Sequence, residues 1–244
     1  PALTVKGHSV RPYIEIKKQA LPSDFMPRTL TLCALGDSLT AGIGASQETG
    51  GYAFYLRRKL LSEKGIREVV IEKYGVSGNR TTHLLNRLDG EKIAKSIQRA
   101  DGIIITIGGN DIMKIVQEEF FDLDLEDFTN DKDAYSQRLR NIFAKIRKWN
   151  PKAPIFLVGL YNPFSLFLGN EEEFDIVLGE WNGYAISVLG EFENAYFVDV
   201  KEDFDRGGTE VLYEDYFHPN DRGYELIAEE LYKSIIRVFF PPRK

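Results

Sequence analysis

Five short apolar runs divide this chain: Leu30 to Leu35, Glu68 to Ile71, Gly102 to Ile107, Ile155 to Gly159 and Tyr196 to Val200. Each has the length of a strand, and most are rich in β-branched residues or bounded by glycine or proline. Between them, apolar residues recur at spacings of three and four, the period of a helix with one buried face. Tyr52 to Glu63 carries Phe54, Tyr55, Leu56, Leu60 and Leu61 mostly on one face, and Ala134 to Trp149 carries Leu139, Ile142, Phe143, Ile146 and Trp149. Ile93 to Arg99, Asp175 to Glu191 and Asp221 to Phe239 complete the set. Strands that alternate with helices leave few solutions. Parallel strands need crossover connections, and the crossover helices cover both faces of the sheet. The expectation is a single α/β domain over residues 29–244, built on a five-stranded parallel sheet. Residues 1–28 hold four prolines (Pro1, Pro12, Pro22 and Pro27) and read as an irregular N-terminal arm.

In such sheets the ligand site lies beyond the carboxyl ends of the strands. The first run ends in Gly36-Asp37-Ser38-Leu39. Gly36 permits a sharp exit, and Ser38 arrives at the sheet edge as a nucleophile that needs a base. The plainer reading of Asp-Ser after a strand is a helix cap. A phosphate loop does not fit: Gly36, Gly42 and Gly44 have the wrong spacing, and no Gly-Lys-Ser/Thr follows.

The base has three sources, His8, His83 and His218. His8 lies in the proline-rich arm and His83 in a polar helical stretch. His218 stands in Asp215-Tyr216-Phe217-His218-Pro219-Asn220. Pro219 disfavours helix at His218 and suits the first helical position itself, so His218 belongs to a loop-to-helix junction. If the chain turns there, the Asp215 carboxylate reaches the imidazole Nδ1–H and leaves Nε2 free to take a serine proton. The alternative is that Asp215 caps the final helix. The third run ends in Ile107-Gly108-Gly109-Asn110-Asp111. Asn110 offers an amide donor at the edge that carries Ser38, as an oxyanion on an attacked carbonyl requires; alone, it would read as a turn residue. A second donor could come from a backbone N–H in Gly75-Val76-Ser77-Gly78-Asn79.

Taken together, these blocks resemble the SGNH (GDSL-type) hydrolases, bacterial lipase/acylhydrolase-like esterases. Gly36-Asp37-Ser38-Leu39, Gly78, Gly108-Gly109-Asn110-Asp111 and Asp215-x-x-His218 match the four family blocks in order. The resemblance implies a flavodoxin-like three-layer α/β/α sandwich. It implies carboxylic ester hydrolysis through an acyl-enzyme, with Ser38 as nucleophile, His218 as base and acid, and Asp215 as its orienter. The implied oxyanion hole is the Ser38 and Gly78 amides with the Asn110 side chain. No cofactor or metal is implied, and the partner is a small-molecule ester or lipid. Acyl transfer to another alcohol, thioester cleavage and a catalytically silent binding module stay open on the same residues. Family members with a similar arm and C-terminus imply a place outside the cytoplasm, secreted or attached to the cell envelope, with the targeting segment absent from this chain. The α/β-hydrolase pattern is rejected. It wants Gly-x-Ser-x-Gly, and residue 40 is Thr40.

Composition removes other classes. The formal net charge of −6 disfavours nucleic acid as a partner. One cysteine, Cys33, excludes an internal disulfide and reads as a small core residue. No apolar run reaches the roughly 18 residues of a transmembrane segment. The acid-rich stretch Gln117 to Asp133 imitates a calcium loop at Asp122 and Asp124. It then fails where glycine and glutamate are required, at Asp127 and Asp133. The apolar loop after the fourth run, with Phe164, Leu166, Phe167 and Leu168, is either a wall for an acyl chain or part of the core. Phe239 to Lys244 reads as a frayed end, and the sequence assigns no oligomeric state.

Overall fold

A computed structural model describes residues 26–118, 128, 130–163 and 171–241. All five strands form: β1 (Arg28–Gly36), β2 (Ile66–Gly75), β3 (Gly102–Thr106), β4 (Ile155–Val158) and β5 (Ala195–Val198). They pair in the order β2-β1-β3-β4-β5, and every pairing is parallel. This is the flavodoxin-like order. β2 runs well past its apolar stretch because it is an edge strand; there Glu72 and Lys73 keep access to water while their backbone pairs with Cys33 and Ala34.

The helices are α1 (Ser38–Ala41), α2 (Tyr52–Leu61), α3 (Thr81–Arg87), α4 (Glu91–Arg99), α5 (Gly109–Glu118), α6 (Lys132–Trp149), α7 (Glu171–Leu189), α8 (Lys201–Gly207) and α9 (Asp221–Phe239). Strand side chains alternate between the two faces. Cys33, Leu35, Ile103, Ile105, Ile155 and Leu157 meet the helices α3 to α7. Leu32, Ala34, Ile104, Phe156 and Val198 meet α2, α8 and α9. The result is three layers with an apolar core on each side of the sheet. Among the described residues no helix is long and apolar enough to cross a membrane.

Three expectations need correction. In α2 the buried stripe is Tyr52, Leu56 and Leu60; Phe54 and Leu61 face solvent, at 37% and 38% exposure. Residues 52, 56 and 60 lie four apart and share a face, whereas 54 and 61 do not. Phe239 and Phe240 do not fray, because α9 runs to Phe239 and the Arg28 guanidinium lies over both rings; residues 242–244 of that end lie outside the described residues. Pro219 is not the first residue of α9. The helix begins at Asp221, and Pro219 forms an antiparallel bridge with Leu212. Asn220 caps the helix instead, its side chain accepting from the amides of Arg222 and Gly223.

Candidate active site

In the order β2-β1-β3, the connections leaving β1 and β3 turn to opposite faces, which opens a crevice at their carboxyl ends. Ser38 follows β1 and Asn110 follows β3, so the two flank that crevice. Ser38 is buried, at 4% exposure, and opens the single turn α1. Asp37 caps this turn by accepting from the Leu39 amide at 3.1 Å. Its Oδ1 also accepts from the Thr106 hydroxyl at 2.8 Å. Thr40 continues the network, 2.9 Å from both the Thr106 and Tyr52 hydroxyls. A buried polar floor therefore fixes the backbone under Ser38 to β3 and α2. Burial pushes the Asp37 carboxyl up to about 7, against the pull of the Thr106 and Leu39 bonds. Gly75 lets this happen: a Cβ there would lie 2.1 Å from the Ala41 amide nitrogen, so only glycine lets β2 pass beneath α1.

His218 stands on a tight loop closed by the bond from the Tyr213 amide to the His218 carbonyl, 2.8 Å. Asp215 Oδ1 accepts from the amides of Phe217 and His218 at 3.0 and 2.9 Å, and its Oδ2 lies 2.6 Å from His218 Nδ1. Burial opposes the Asp215 charge. The His218 ring and the two amides outweigh it and hold the carboxyl below its ordinary range. An ionised carboxylate only accepts, so Nδ1 carries the proton and the neutral ring presents Nε2 as an acceptor. Asp215 does not cap α9; that role belongs to Asn220.

Asn110 is not on a turn. It sits in the first turn of α5, a helix absent from the sequence reading. Its Nδ2 donates one hydrogen to the Asn79 carbonyl at 3.1 Å, which leaves the second for a ligand. Gly78, with φ +75°, occupies a turn closed by the Asn79 amide on the Val76 carbonyl. A Cβ at Gly78 would touch nothing, so the left-handed backbone alone calls for glycine. The Ser38 and Gly78 amides find no acceptor among the described residues.

One cleft of about 580 Å³, including its open mouth, is lined by Ser38, Asn110 and His218. Its remaining wall is mostly apolar, with Ile107, Ile112, Val158, Leu160, Pro163 and Leu178. Neither Asp215 nor Gly78 lines the cleft: Asp215 stands behind His218, and Gly78 precedes Asn79, whose carbonyl accepts from Asn110. Phe164, Leu166, Phe167 and Leu168, expected as an acyl wall or as core, lie outside the described residues, as does His8. His83 is exposed, accepts from the Arg80 amide and does not line the cleft. Among the described residues no group of three or more His, Cys, Asp or Glu side chains is gathered as a metal site would need.

Sequence reasoning missed the supports. Arg87 donates to the Tyr74 carbonyl at 2.8 Å and to Asn79 Oδ1 at 3.0 Å, steadying the Gly78 turn. Asn182 donates to and accepts from the Leu160 backbone at 2.9 and 2.8 Å, fixing one wall of the cleft. Both partners are distant in sequence, and only the Gly78 turn itself carried a local signal.

Comparison with known proteins gives one consistent likeness. Residues 34–226 match the GDSL-like Lipase/Acylhydrolase family. The chain is 35% identical over 214 residues to the uncharacterized protein YpmR of Bacillus subtilis, covering 87% of this chain and 84% of that one. It is 30% identical over 207 residues to the spore germination lipase LipC of Bacillus licheniformis, covering 83% and 95% respectively. Among solved structures, the lipase Lip_vut3 from a goat rumen metagenome superposes with a TM-score of 0.75 at 28% identity, covering 88% of this chain and 99% of that one.

Proposed function

Because the chain belongs to the GDSL-like lipase/acylhydrolase family, whose members are esterases and lipases, we propose that it cleaves carboxylic esters through an acyl-enzyme on Ser38. The observation that carries this reading is the 2.6 Å contact of Asp215 with His218, whose ring shares one cleft with Ser38 and Asn110. His218 Nε2 takes the Ser38 proton as Oγ attacks the ester carbonyl. The tetrahedral oxyanion receives hydrogen bonds from the Ser38 and Gly78 amides and from the second Asn110 N–H. His218, now cationic and stabilised by Asp215, gives its proton to the departing alkoxide. Water then attacks the acyl-enzyme with His218 again as base, releasing the acid and restoring Ser38. The apolar wall of the cleft supports an acyl chain as the group bound there. Each buried methylene would contribute about 0.8 kcal/mol.

The test is covalent labelling. A fluorophosphonate should modify Ser38, identified by peptide mass, and Ser38→Ala should abolish both labelling and turnover of p-nitrophenyl esters. Labelling elsewhere, or turnover retained in Ser38→Ala, would overturn the reading. Added methanol separates the products: a methyl ester formed in place of the free acid would mark an acyltransferase.

A further inference from the structure

Asn110 and Gly78 come from different parts of the chain, yet an oxyanion hole works only if its donors hold one fixed geometry. Two residues tie them together. Thr81, fully buried at the start of α3, donates its amide to Asp111 Oδ2 at 2.9 Å and its hydroxyl to Asp111 Oδ1 at 2.6 Å. Asp111 follows Asn110 on α5 and is itself 4% exposed. Thr81 lies three residues after Gly78. The same two segments are joined again by Asn110 Nδ2 on the Asn79 carbonyl. Arg138, from α6, closes the cluster. Its Nε donates to the Thr81 hydroxyl at 2.7 Å, and its Nη2 reaches Asp131 at 2.6 Å and Asp111 at 3.4 Å.

A buried carboxylate is costly, and packing alone would serve the core. Apolar packing resists sliding poorly, whereas two directional bonds to one carboxylate fix both position and rotation. We propose that Thr81 and Asp111 are positioning residues that lock the Gly78 turn onto the Asn110 helix, so that both oxyanion donors move as one body. This rests on the ester-hydrolase reading of Gly78 and Asn110. Neither Thr81 nor Asp111 touches the reacting atoms. Their effect should reach the rate because a displacement of about 1 Å at such donors costs on the order of a hundredfold. It should fall on kcat, since the negative charge on that oxygen is absent from the bound ester and develops only on the way to the tetrahedral intermediate.

The experiment uses the full chain with p-nitrophenyl butyrate. Thr81→Val keeps the shape and the amide bond but removes the hydroxyl; Thr81→Ser restores it. Thr81→Val should lower kcat by about ten- to a hundredfold with KM changed less than about twofold. Thr81→Ser should recover to within about threefold of the parent. With Asn110→Ala already present, the loss from Thr81→Val should shrink, because one of the donors it misplaces is gone. If Thr81→Val does not fold, Asp111→Asn carries the same measurements. An unchanged kcat, a change in KM alone, or the same fold-loss in both backgrounds would overturn the proposal and leave the pair a structural contact. Full activity of Ser38→Ala or Asn110→Ala would instead overturn the underlying reading.

Discussion

The phenolic hydroxyl of Tyr161 donates to the carbonyl of Phe217, the residue before His218, at 2.8 Å. Tyr161 lies just past β4, and its ring stacks on Phe204 with centroids 4.0 Å apart. The loop that carries His218 is thus anchored to the sheet by a residue 56 positions from Phe217. Tyr161→Phe keeps the stack and removes the bond. It should cost about 1 kcal/mol of stability, the usual worth of one such bond. It should also lower kcat/KM by about fivefold as His218 gains freedom. Urea denaturation and steady-state kinetics on the same preparation check both.

Asp215→Asn should leave the loop folded, since an amide oxygen still accepts from the Phe217 and His218 amides. The amide nitrogen can pair with an unprotonated Nδ1 and so favour the wrong tautomer. The expected fall in kcat is on the order of ten-thousandfold. Stopped assays with concentrated enzyme would measure it; a fall of less than about tenfold would mean that Asp215 does not orient the base.

On the proposed role of Asn110 as an oxyanion donor, Asn110→Ala should lower kcat by about a hundred- to a thousandfold, with KM little changed. It also frees the Asn79 carbonyl, so thermal denaturation should accompany the kinetics. A rise in KM with kcat intact would make Asn110 a substrate-binding group.

Asp37 gives stability a pH dependence. Its carboxyl is pushed up to about 7 by burial, against an ordinary value near 3.9. Between these values the native state holds a proton that the unfolded chain has released. Stability therefore falls as pH rises through about 4 to 7 and levels off above. Burial moves Asp111 in the same direction. Asp215 and Asp221 are held low, so their contribution is present above their ordinary range and is lost only in stronger acid. From pH 5 to 8 the Asp37 contribution should amount to about 2–3 kcal/mol. Asp37→Asn keeps an oxygen for Leu39 and Thr106 and should flatten the slope of urea-determined stability against pH. An unchanged slope would show that Asp37 is ionised throughout.

The sequence alone determined the layers, and it singled out Ser38, Asn110 and His218, which the fold brings to one cleft. Strand and helix differ in period, and period is a local property. Ser38 and Asn110 each stand within a few residues of a buried run, so their place at one sheet edge follows from the strands being parallel. Asp215 and His218 are three residues apart, close enough for a turn to join them. What holds these residues still was not legible. Thr81 meets Asp111 across 30 positions, and Asp37 meets Thr106 across 69. Helix α5 was missed because Gly108 and Gly109 signal a break just before Ile112, Ile115 and Val116 turn inward. The C-terminal aromatics looked unsupported because the cation that covers them, Arg28, belongs to the other end of the domain. Each of these contacts exists only once the strands take the order β2-β1-β3-β4-β5. Strand order is set by how whole faces pack together, a property of the folded chain that no local spacing of residues encodes.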